Sequence, residues 1–413
     1  MVKHISNIKM THYLEDSSFL YAGGYGKGIP VYSRKGLDVI YRFVDVFRKI
    51  VNDESLNVIE LKHTKLVDKN DFLKMYKDIN DYTDEIVEYG EKLVMSDVLI
   101  NSFKYLKDHF ENQTKSVFTC SSVYRDKVNK LTPLYKDKNI FPVVQLDQIV
   151  KKDDHQENIK KLKKVYKNFF ASIGIEIAFL ETQEVPSYAK YELYFVTHEK
   201  GSLTKLGMIY VLSDQFKKNL KIDDDVELFD SGFSGKALYK SLEMTTQYCG
   251  NFCIHPHVAD ADFLIASSNQ SNKQQLFKEL RSYQHNFQVL NSTKKSYKQW
   301  KKSGVLHYIL VHEQFSLFTR DANGEIKEKV YHTSKELLKR INEEISIRST
   351  DTIKCSHDMM KSAQQDLTKN LCDACYKKEF YGYYSDDNTY KCMSCGKKIN
   401  KVILTLDPKK RFY

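Results

Sequence analysis

The chain has 413 residues, 41% hydrophobic and 29% charged, and its 64 basic side chains exceed the 54 acidic ones to leave a formal charge of +10. This length fits two or three domains, and the composition is typical of a soluble globular protein. No apolar run approaches the roughly 20 residues of a membrane helix, which excludes a membrane protein. The N-terminal segment lacks the apolar core of a secretory signal and the Arg-rich bias of a transit peptide, so we expect a cytoplasmic location, with an organellar or viral origin left open.

The basic excess favours a polyanionic partner such as nucleic acid. The chain also holds only six prolines beside 28 tyrosines and many Lys and Asn residues. An A+T-rich genome produces the same bias without any function, so the charge by itself leaves both explanations open.

Residues 1–256 combine amphipathic helices with short strands. The clearest helix pattern is LDVIYRFVDVFRKIV, residues 37–51, whose apolar positions recur every three to four residues. Strand patterns follow in KSVFTCSSVYR, residues 115–125, and in YELYFVTH, residues 191–198. The mixture predicts an α+β domain with an antiparallel sheet and helices packed against it.

Residues 257–348 alternate between strand and helix patterns, from ADFLIASS to SKELLKRINEEI. This alternation predicts a separate α/β domain. Within it, the sequence Asp321-Ala-Asn-Gly324 lies between two strand patterns and predicts a hairpin turn.

Residues 349–413 contain two CxxC pairs with 16 residues between them. Each CxxC pair can direct two thiolates at one metal ion. The intervening segment can bring the second pair back to the first, so that four thiolates surround the ion as a tetrahedron. The spacing therefore predicts a structural Zn²⁺ ribbon. Redox or free thiols are the alternative, and Cys355-Ser-His357 is a competing ligand pair. We expect the remaining cysteines to be small buried hydrophobic residues. The predicted zinc ligands are Cys372, Cys375, Cys392 and Cys395.

Several segments, in order along the chain, resemble class II aminoacyl-tRNA synthetases. Residues 24–49 resemble the first signature, with a Gly-rich entry and a proline before a long helix, and residues 121–148 resemble the second, in which Arg125 fits the signature arginine. Residues 188–222 resemble a block of prolyl-tRNA synthetase that ends in a Leu-x-x-x-Phe tail, here Leu212 to Phe216.

The remaining segments resemble the same family. Trp300, Gly304 and Val305 match a Trp-x-x-x-Gly-Val element of its anticodon-binding domain. The cysteine pairs and the terminal RFY are similar to the tail of archaeal and eukaryotic prolyl-tRNA synthetases. The resemblance implies a class II catalytic-like domain over 1–256, an anticodon-binding-like domain over 257–348, a zinc ribbon over 349–413, and a homodimer.

The positions that the resemblance assigns to ATP and proline are altered. Where the family has Glu in the second signature, this chain has Lys127, and a gapless alignment puts Ala237 at the phosphate-binding arginine of the third signature. Lys236 is adjacent, but neighbouring helical residues point about 100° apart, which makes it a poor substitute. The family's Gly-Thr-Ser-His is Gly207-Met-Ile-Tyr210 here, so we expect an apolar pocket.

Two further departures affect the same region. The Thr-x-Glu loop that holds the amino group in the family is at best Met95-Ser-Asp97, and Lys130, Lys136 and Lys138 replace arginines of the second signature loop. Together these losses predict a pseudoenzyme with no catalytic residues and no ATP cofactor, although residual prolyl-tRNA ligase activity stays open.

The retained architecture and the basic charge favour binding to nucleic acid, with RNA, especially tRNA, ahead of DNA. Trp300 is either a base-stacking platform or a core residue, and each lysine cluster is either a phosphate-binding surface or a solvated face. The candidate contacts are Lys160, Lys161, Lys163, Lys164, Lys294, Lys295, Lys298, Trp300, Lys301, Lys302, Lys397 and Lys398.

The sequence therefore predicts a non-catalytic accessory or scaffold subunit of an information-processing complex, with protein subunits as further partners. Three alternatives remain. The first is a processivity-type accessory subunit of a DNA polymerase, the second a divergent prolyl-tRNA synthetase, and the third a purely structural protein-interaction subunit.

Overall fold

A computed structural model gives the fold of the chain. It describes all residues except 1–4, 55, 63–65, 80–86, 92, 96–98, 111–112, 126–127, 129, 200–201, 283–284, 291–292, 321–324, 346–351, 355, 357–367, 370–381, 386–388 and 405–413, and it leaves out some further side chains.

The helices include the amphipathic one predicted from residues 37–51, which extends over Arg34–Asp53 and buries Val39, Phe43 and Phe47 along one side. None of the helices in the described ranges combines the length and the apolar character that crossing a bilayer requires. A further helix covers residues 334–345. The helices are α1 (Asn7–Asp16), α2 (Arg34–Asp53), α3 (Lys69–Met75), α4 (Leu99–Phe110), α5 (His155–Ser172), α6 (Asp214–Leu220), α7 (Gly235–Cys249), α8 (Gln270–Ser282) and α9 (Thr293–Ser303).

The strands form one large sheet, one five-stranded sheet and three small ones. They are β1 (Leu20–Gly26), β2 (Ile29–Tyr32), β3 (Val58–Leu61), β4 (Leu66–Asp68), β5 (Val87–Tyr89), β6 (Leu93–Met95), β7 (Lys115–Tyr124), β8 (Asn139–Lys151), β9 (Ala178–Thr182), β10 (Ala189–Glu199), β11 (Ser202–Leu212), β12 (Val226–Ser234), β13 (Phe263–Ser267), β14 (Phe287–Val289), β15 (His307–Val311), β16 (Phe315–Arg320), β17 (Ile326–Tyr331), β18 (Thr368–Lys369), β19 (Gly382–Ser385), β20 (Tyr390–Lys391), β21 (Lys398–Ile399) and β22 (Val402–Leu404).

The contacts between residues divide the chain into two compact units. One comprises Met1–Val46, Ala171–Ile175 and Leu238–Ser356, and the other comprises Phe47–Phe170, Glu176–Ala237 and His357–Tyr413. The three domain boundaries expected from the sequence stay a prediction.

The large sheet belongs to the second unit and has the strand order β18-β22-β19-β9-β10-β11-β12-β8-β7-β3. Its β3–β7 pair is parallel, and the neighbouring pairs from β7 to β9 are antiparallel. The antiparallel sheet expected for the first half of the chain is therefore confirmed. Strands β19 and β22, near the C-terminus, extend this sheet through the pairing of β19 with β9.

Aromatic side chains hold α5 against one face of the large sheet. The Tyr166 ring lies 4.2 Å from that of Phe195, and the Phe169 ring lies 4.5 Å from that of Phe233. The Tyr166 hydroxyl donates a hydrogen bond of 2.8 Å to the Ser231 hydroxyl, which satisfies the phenol in this apolar layer.

The opposite face of the large sheet packs against α3, α4 and α6. Phe72, Phe103 and Phe216 from these helices form one buried cluster with Leu228 and Tyr210 of the sheet. This is the face that carries the candidate site.

The first unit contains a five-stranded sheet in the order β14-β13-β15-β16-β17. The β14–β13 and β13–β15 pairs are parallel, as the predicted strand–helix alternation requires, and the β16–β17 pair forms the predicted antiparallel hairpin. Trp300 of α9 packs on one face with Leu264 and Tyr308, whereas Leu276 of α8 and Leu337 pack on the other.

We expect Gly207→Ala to destabilise the large sheet. An added Cβ would lie 2.3 Å from the Gly232 carbonyl oxygen and 2.9 Å from a ring carbon of Phe195, and overpacking of this kind typically costs about 1–3 kcal/mol. Chemical denaturation should show this loss in the free energy of unfolding. Gly23→Ala is the control, because a Cβ there meets nothing within 4 Å. Equal denaturation midpoints for the two variants would contradict the expectation.

Candidate functional site

A row of polar side chains crosses the middle of the large sheet. The row contains one residue from each of four neighbouring strands, and each residue pairs directly with the next: Asp147 of β8, Asp230 of β12, Tyr210 of β11 and Glu192 of β10. Directly opposed residues point to the same face of a sheet. All four are buried, and Glu192 accepts a hydrogen bond of 2.7 Å from the Thr182 hydroxyl on β9.

A β-bulge adds Lys205 to this row. Phe195 pairs with Gly207, but the next residue of β10, Val196, pairs with Lys205, so Leu206 is the extra residue. The extra residue reverses the alternation of β11 and turns Lys205 toward the face that carries Tyr210. The Lys205 Nζ lies 3.4 Å from the Tyr210 hydroxyl and 3.7 Å from the ring centroid of Tyr194.

Charges of both signs act on Lys205. Burial is the main cause that lowers the pKa of Lys205 to about 8, and Lys236 and Arg125 lower it further, whereas Glu192 and Asp230 raise it. Lys205 is half-buried, Lys236 is half-buried and Arg125 is exposed. Two cations and two buried carboxylates therefore set the charge state of Lys205.

Asp147 and Asp230 form a buried carboxylate pair on adjacent strands. Burial raises the pKa of Asp230 to about 6, although Asp147, Gln145 and the charge of Lys205 oppose this rise. Two neighbouring carboxylates cannot both ionise without mutual repulsion, and the raised pKa keeps Asp230 protonated below about pH 6.

Tyr210 is held as a neutral phenol. Its ring packs edge-on against Tyr188 at a centroid distance of 5.4 Å, and burial raises its pKa well above the usual value, with Tyr188 and Glu192 adding to the rise. The hydroxyl can accordingly donate a hydrogen bond but does not carry a charge.

The predicted catalytic positions fall around this row. Arg125 directly follows β7, and its backbone N–H donates to the Lys138 carbonyl at 2.8 Å. Ala237 is fully buried near the start of α7. Its neighbour Lys236 places its Nζ 5.0 Å from the ring centroid of Tyr135 and acts electrostatically on Lys205. Lys127 lies outside the residues that the structure describes, as do Ser96 and Asp97.

The expectation of an apolar pocket at residues 207–210 stays a prediction. Alternate residues of β11 point to opposite faces, so only Met208 and Tyr210 of this segment reach the site face. Tyr210 belongs to the buried apolar cluster on this face, and Met208 packs against that cluster. The neighbouring strands contribute Asp230 and Glu192 to the same face, and the bulge contributes Lys205.

The sequence patterns did not predict Lys205, Asp147 and Asp230 as site residues. A signal was present for the two carboxylates, because each lies in a strand of mostly buried residues, and a buried carboxylate is a functional candidate. No signal in the sequence predicted the bulge that turns Lys205.

Half of the predicted zinc site lies in the described residues. Cys392 and Cys395 occupy the turn between β20 and β21, where the Cys392 N–H donates to the Lys397 carbonyl at 2.9 Å and the Gly396 N–H donates to the Cys392 carbonyl at 2.8 Å. Gly396 has φ +71°, which a tight turn around two thiolates requires. This turn fits one knuckle of a Zn²⁺ site. Cys372 and Cys375 lie outside the described residues.

Two of the candidate lysines of α5 already contact other side chains of the chain. Lys164 forms an ion pair of 2.9 Å with Glu54, and Lys163 lies over the Phe179 ring at 5.4 Å. Burial lowers the pKa of Lys163, Lys401 lowers it further and Glu181 raises it. Lys160 is exposed and Lys161 is half-buried, so these two remain the more available cations of the cluster.

The lysines of α9 are more accessible. Lys295, Lys298 and Lys302 are exposed and lie at positions i, i+3 and i+7, which share one helical face. Lys301 is exposed beside the Tyr297 ring, at 4.7 Å from its centroid. The side chain of Lys294 is not described.

Trp300 cannot be one of the predicted nucleic-acid contacts. The side chain is fully buried, and its indole N–H donates to the Val305 carbonyl at 2.9 Å. A ring enclosed in the core cannot stack on a base, so Trp300 is a core residue. Lys397 and Lys398, in and beside the β20–β21 turn, are both exposed.

A separate cleft of about 920 Å³ lies at the carboxyl ends of the parallel strands β13 and β15 in the first unit. Ser268, Asn269, His312 and Glu313 are among its lining residues. None of the residues predicted from the sequence as catalytic, metal-binding or nucleic-acid-binding contributes to its lining.

The chain resembles a solved structure over nearly its whole length. No protein-family model and no curated protein matches the sequence. Among solved structures, the prolyl-tRNA synthetase of Giardia lamblia in complex with prolyl-adenylate matches 97% of this chain and 98% of its own, with a TM-score of 0.77 and 12% sequence identity. The predicted resemblance to prolyl-tRNA synthetase is therefore confirmed as a likeness of fold.

We expect the buried carboxylate pair to make stability pH-dependent. Because the pKa of Asp230 is about 6 in the folded chain and 3.8 when unperturbed, its proton stabilises the fold below about pH 4, and this contribution, about 3 kcal/mol in total, is lost as the pH rises through about 6. Asp230→Asn should flatten this fall in the free energy of unfolding.

Urea denaturation between about pH 4 and 7 measures the effect. Asp224→Asn, a change at an exposed carboxylate, is the control and should keep the slope of the unmodified protein. The same slope in the Asp230 variant would contradict the assignment.

Proposed function

We propose that the chain is a non-catalytic relative of prolyl-tRNA synthetase that binds nucleic acid, with tRNA ahead of DNA, as an accessory or scaffold subunit. The observation that carries the proposal is the full burial of the Ala237 side chain in a chain with a full-length synthetase-like fold. The sequence resemblance assigns the family's phosphate-binding arginine to this position. A methyl group in the core cannot contact phosphate, whereas loss of one placed electrostatic contact typically costs about 10²–10³ in rate.

The exposed face of α9 supports the nucleic-acid part of the proposal. Lys295, Lys298 and Lys302 present three charges on one face, and Lys302 approaches Asp16 only at 4.0 Å, with both side chains largely exposed. Such lysines bind phosphate through counterion release, which gives salt-dependent and weakly sequence-specific affinity.

A divergent synthetase is the second candidate. Arg125 and Lys236 both act electrostatically on Lys205 at the candidate site, and such a group of cations could bind phosphate without the family's second arginine. Exchange of pyrophosphate into ATP in the presence of proline distinguishes the two candidates. We propose that the exchange is absent, and proline-dependent exchange would establish the enzyme instead.

We expect the α9 face to determine tRNA affinity. The double variant Lys295→Glu/Lys298→Glu should weaken tRNA binding at least about tenfold at low salt and reduce the salt dependence by about two phosphate contacts. Filter binding across a salt series measures both quantities. Lys335→Glu/Lys339→Glu is the matched control, since it changes the same charge at exposed positions of the helix on the opposite face of the five-stranded sheet.

The outcomes separate the remaining alternatives. Equal binding by both double variants would contradict the assignment to α9. A duplex or single-stranded DNA probe that binds more tightly than tRNA would favour the polymerase accessory role. Retention of neither nucleic acid at low salt would favour a purely structural subunit.

We propose that Cys392 and Cys395, with Cys372 and Cys375, hold one structural Zn²⁺. The purified chain should contain about one zinc per chain, and Cys395→Ser should lose it because three thiolates hold the ion less tightly than four. Elemental analysis measures the content. Cys120→Ser is the control outside the motif. Unchanged zinc in Cys395→Ser, or its loss in His357→Ala, would contradict this ligand set.

A homodimer is the proposed assembly, with a second copy covering the apolar side chains of the N-terminal segment. Ile8, Tyr21 and Tyr41 are 73%, 76% and 53% exposed, and burial of such side chains under a second copy would stabilise a dimer. We expect Tyr21→Glu/Tyr41→Glu to shift the mass measured by light scattering from dimer to monomer. Met393→Glu, at a side chain 80% exposed in another segment, should leave the mass unchanged. A monomeric parent protein would contradict the assembly.

A further inference from the structure

The Lys205 amine has the surroundings of a reactive lysine. Its Nζ is 3.7 Å from the ring centroid of Tyr194 and 3.4 Å from the hydroxyl of Tyr210, so an aromatic face and a phenol replace part of its water shell. The described residues place no carboxylate within ion-pair distance of it. Lysines desolvated beside other cations are the usual way in which proteins activate this amine as a nucleophile.

Charged and titratable groups from several elements surround the Lys205 amine. Glu192 and Tyr194 come from β10, Tyr210 from β11 and Asp230 from β12. The cations Lys236 and Arg125 come from α7 and from the end of β7.

The sum of these effects raises the fraction of Lys205 that is neutral. Burial and the two cations outweigh the carboxylates and lower the pKa of Lys205 to about 8. At pH 7 about a tenth of the amine is then unprotonated, about 200-fold more than in an ordinary lysine. The same cations create a positive potential that attracts an anionic ligand.

We propose that Lys205 forms an imine with a small carbonyl compound that carries a phosphate or another anionic group, bound on this face of the large sheet. The neutral amine attacks the carbonyl carbon, so a C–N bond forms while the carbonyl oxygen becomes a hydroxyl. That oxygen then leaves as water with the two hydrogens of the neutral amine, and a C=N double bond remains. No electrons are gained or lost, and no co-reactant is required.

Tyr210 is the hydrogen-bond donor for this step. Its hydroxyl is 3.4 Å from Nζ, and its raised pKa keeps it protonated, so it can donate a hydrogen bond that orients the carbonyl oxygen beside the amine. Arg125 and Lys236 would hold the anionic group. The inference concerns a small-molecule site and does not depend on RNA binding.

Pyridoxal 5′-phosphate, an anionic aldehyde, is the probe for the test. The full-length chain is incubated with the probe, imines are reduced with borohydride, and peptide mass spectrometry locates the resulting secondary amines. We expect Lys205 to be labelled at least about tenfold faster than any other lysine, with the rate rising through about pH 8. Inorganic phosphate should compete, and pyridoxal without the phosphate should label Lys205 more slowly.

Matched variants separate reactivity from structure. Lys205→Arg keeps the charge but cannot form an imine, and it should lose the fast labelling. Tyr210→Phe should slow labelling without abolishing it. Lys218→Arg, an exposed lysine on α6, should change nothing. Circular dichroism and denaturation confirm that each variant is folded.

Three results would overturn the proposal. The first is labelling spread evenly over the surface lysines, as in the urea-unfolded chain. The second is fast labelling that persists in Lys205→Arg. The third is binding of the probe without a reducible bond, which would leave an anion site with no covalent step.

Discussion

The pairing of β10 with β11 carries one extra residue, Leu206, and the character of the candidate site depends on it. Without this bulge, Lys205 would point to the face that packs against α5, where Tyr166 and Phe195 form an apolar layer. With it, a single amine enters a face lined by carboxylates and tyrosines. A change in backbone pairing thus decides the charge of the site, because side chains alternate between faces along a strand.

Buried charges make this face electrostatically costly. Asp147 and Asp230 are held on adjacent strands away from water, and Lys205 is half-buried beside Lys236 and Arg125. Such groups are expensive for stability, since burial of a charge is compensated only by well-placed partners. A chain that served only as a scaffold would gain stability from apolar residues at these positions. Their presence supports a use for this face beyond structural packing.

The fold of this chain keeps its likeness to a solved structure at low sequence identity. The chain matches the solved prolyl-tRNA synthetase over 97% of its length at 12% identity. Backbone pairing and the periodic burial of apolar residues preserve a fold through many substitutions. A binding site has less tolerance, because one side chain changes what can be bound.

The sequence by itself determined the amphipathic α2, the α/β alternation after residue 257 and the β16–β17 hairpin, because periodicity and turn chemistry are local. The likeness to the synthetase fold came from the resemblance of several segments, in order along the chain, to that family. The sequence left Trp300 as either a base-stacking platform or a core residue, and its burial in the tertiary structure shows that it is a core residue.

The candidate site could not be predicted in the same way. Asp147, Asp230, Tyr210 and Glu192 are far apart in sequence, and strand order and register alone make them neighbours. The Lys205 side chain points to the site face because of the bulge between β10 and β11. No residue pattern predicts that bulge, so only the tertiary structure revealed it.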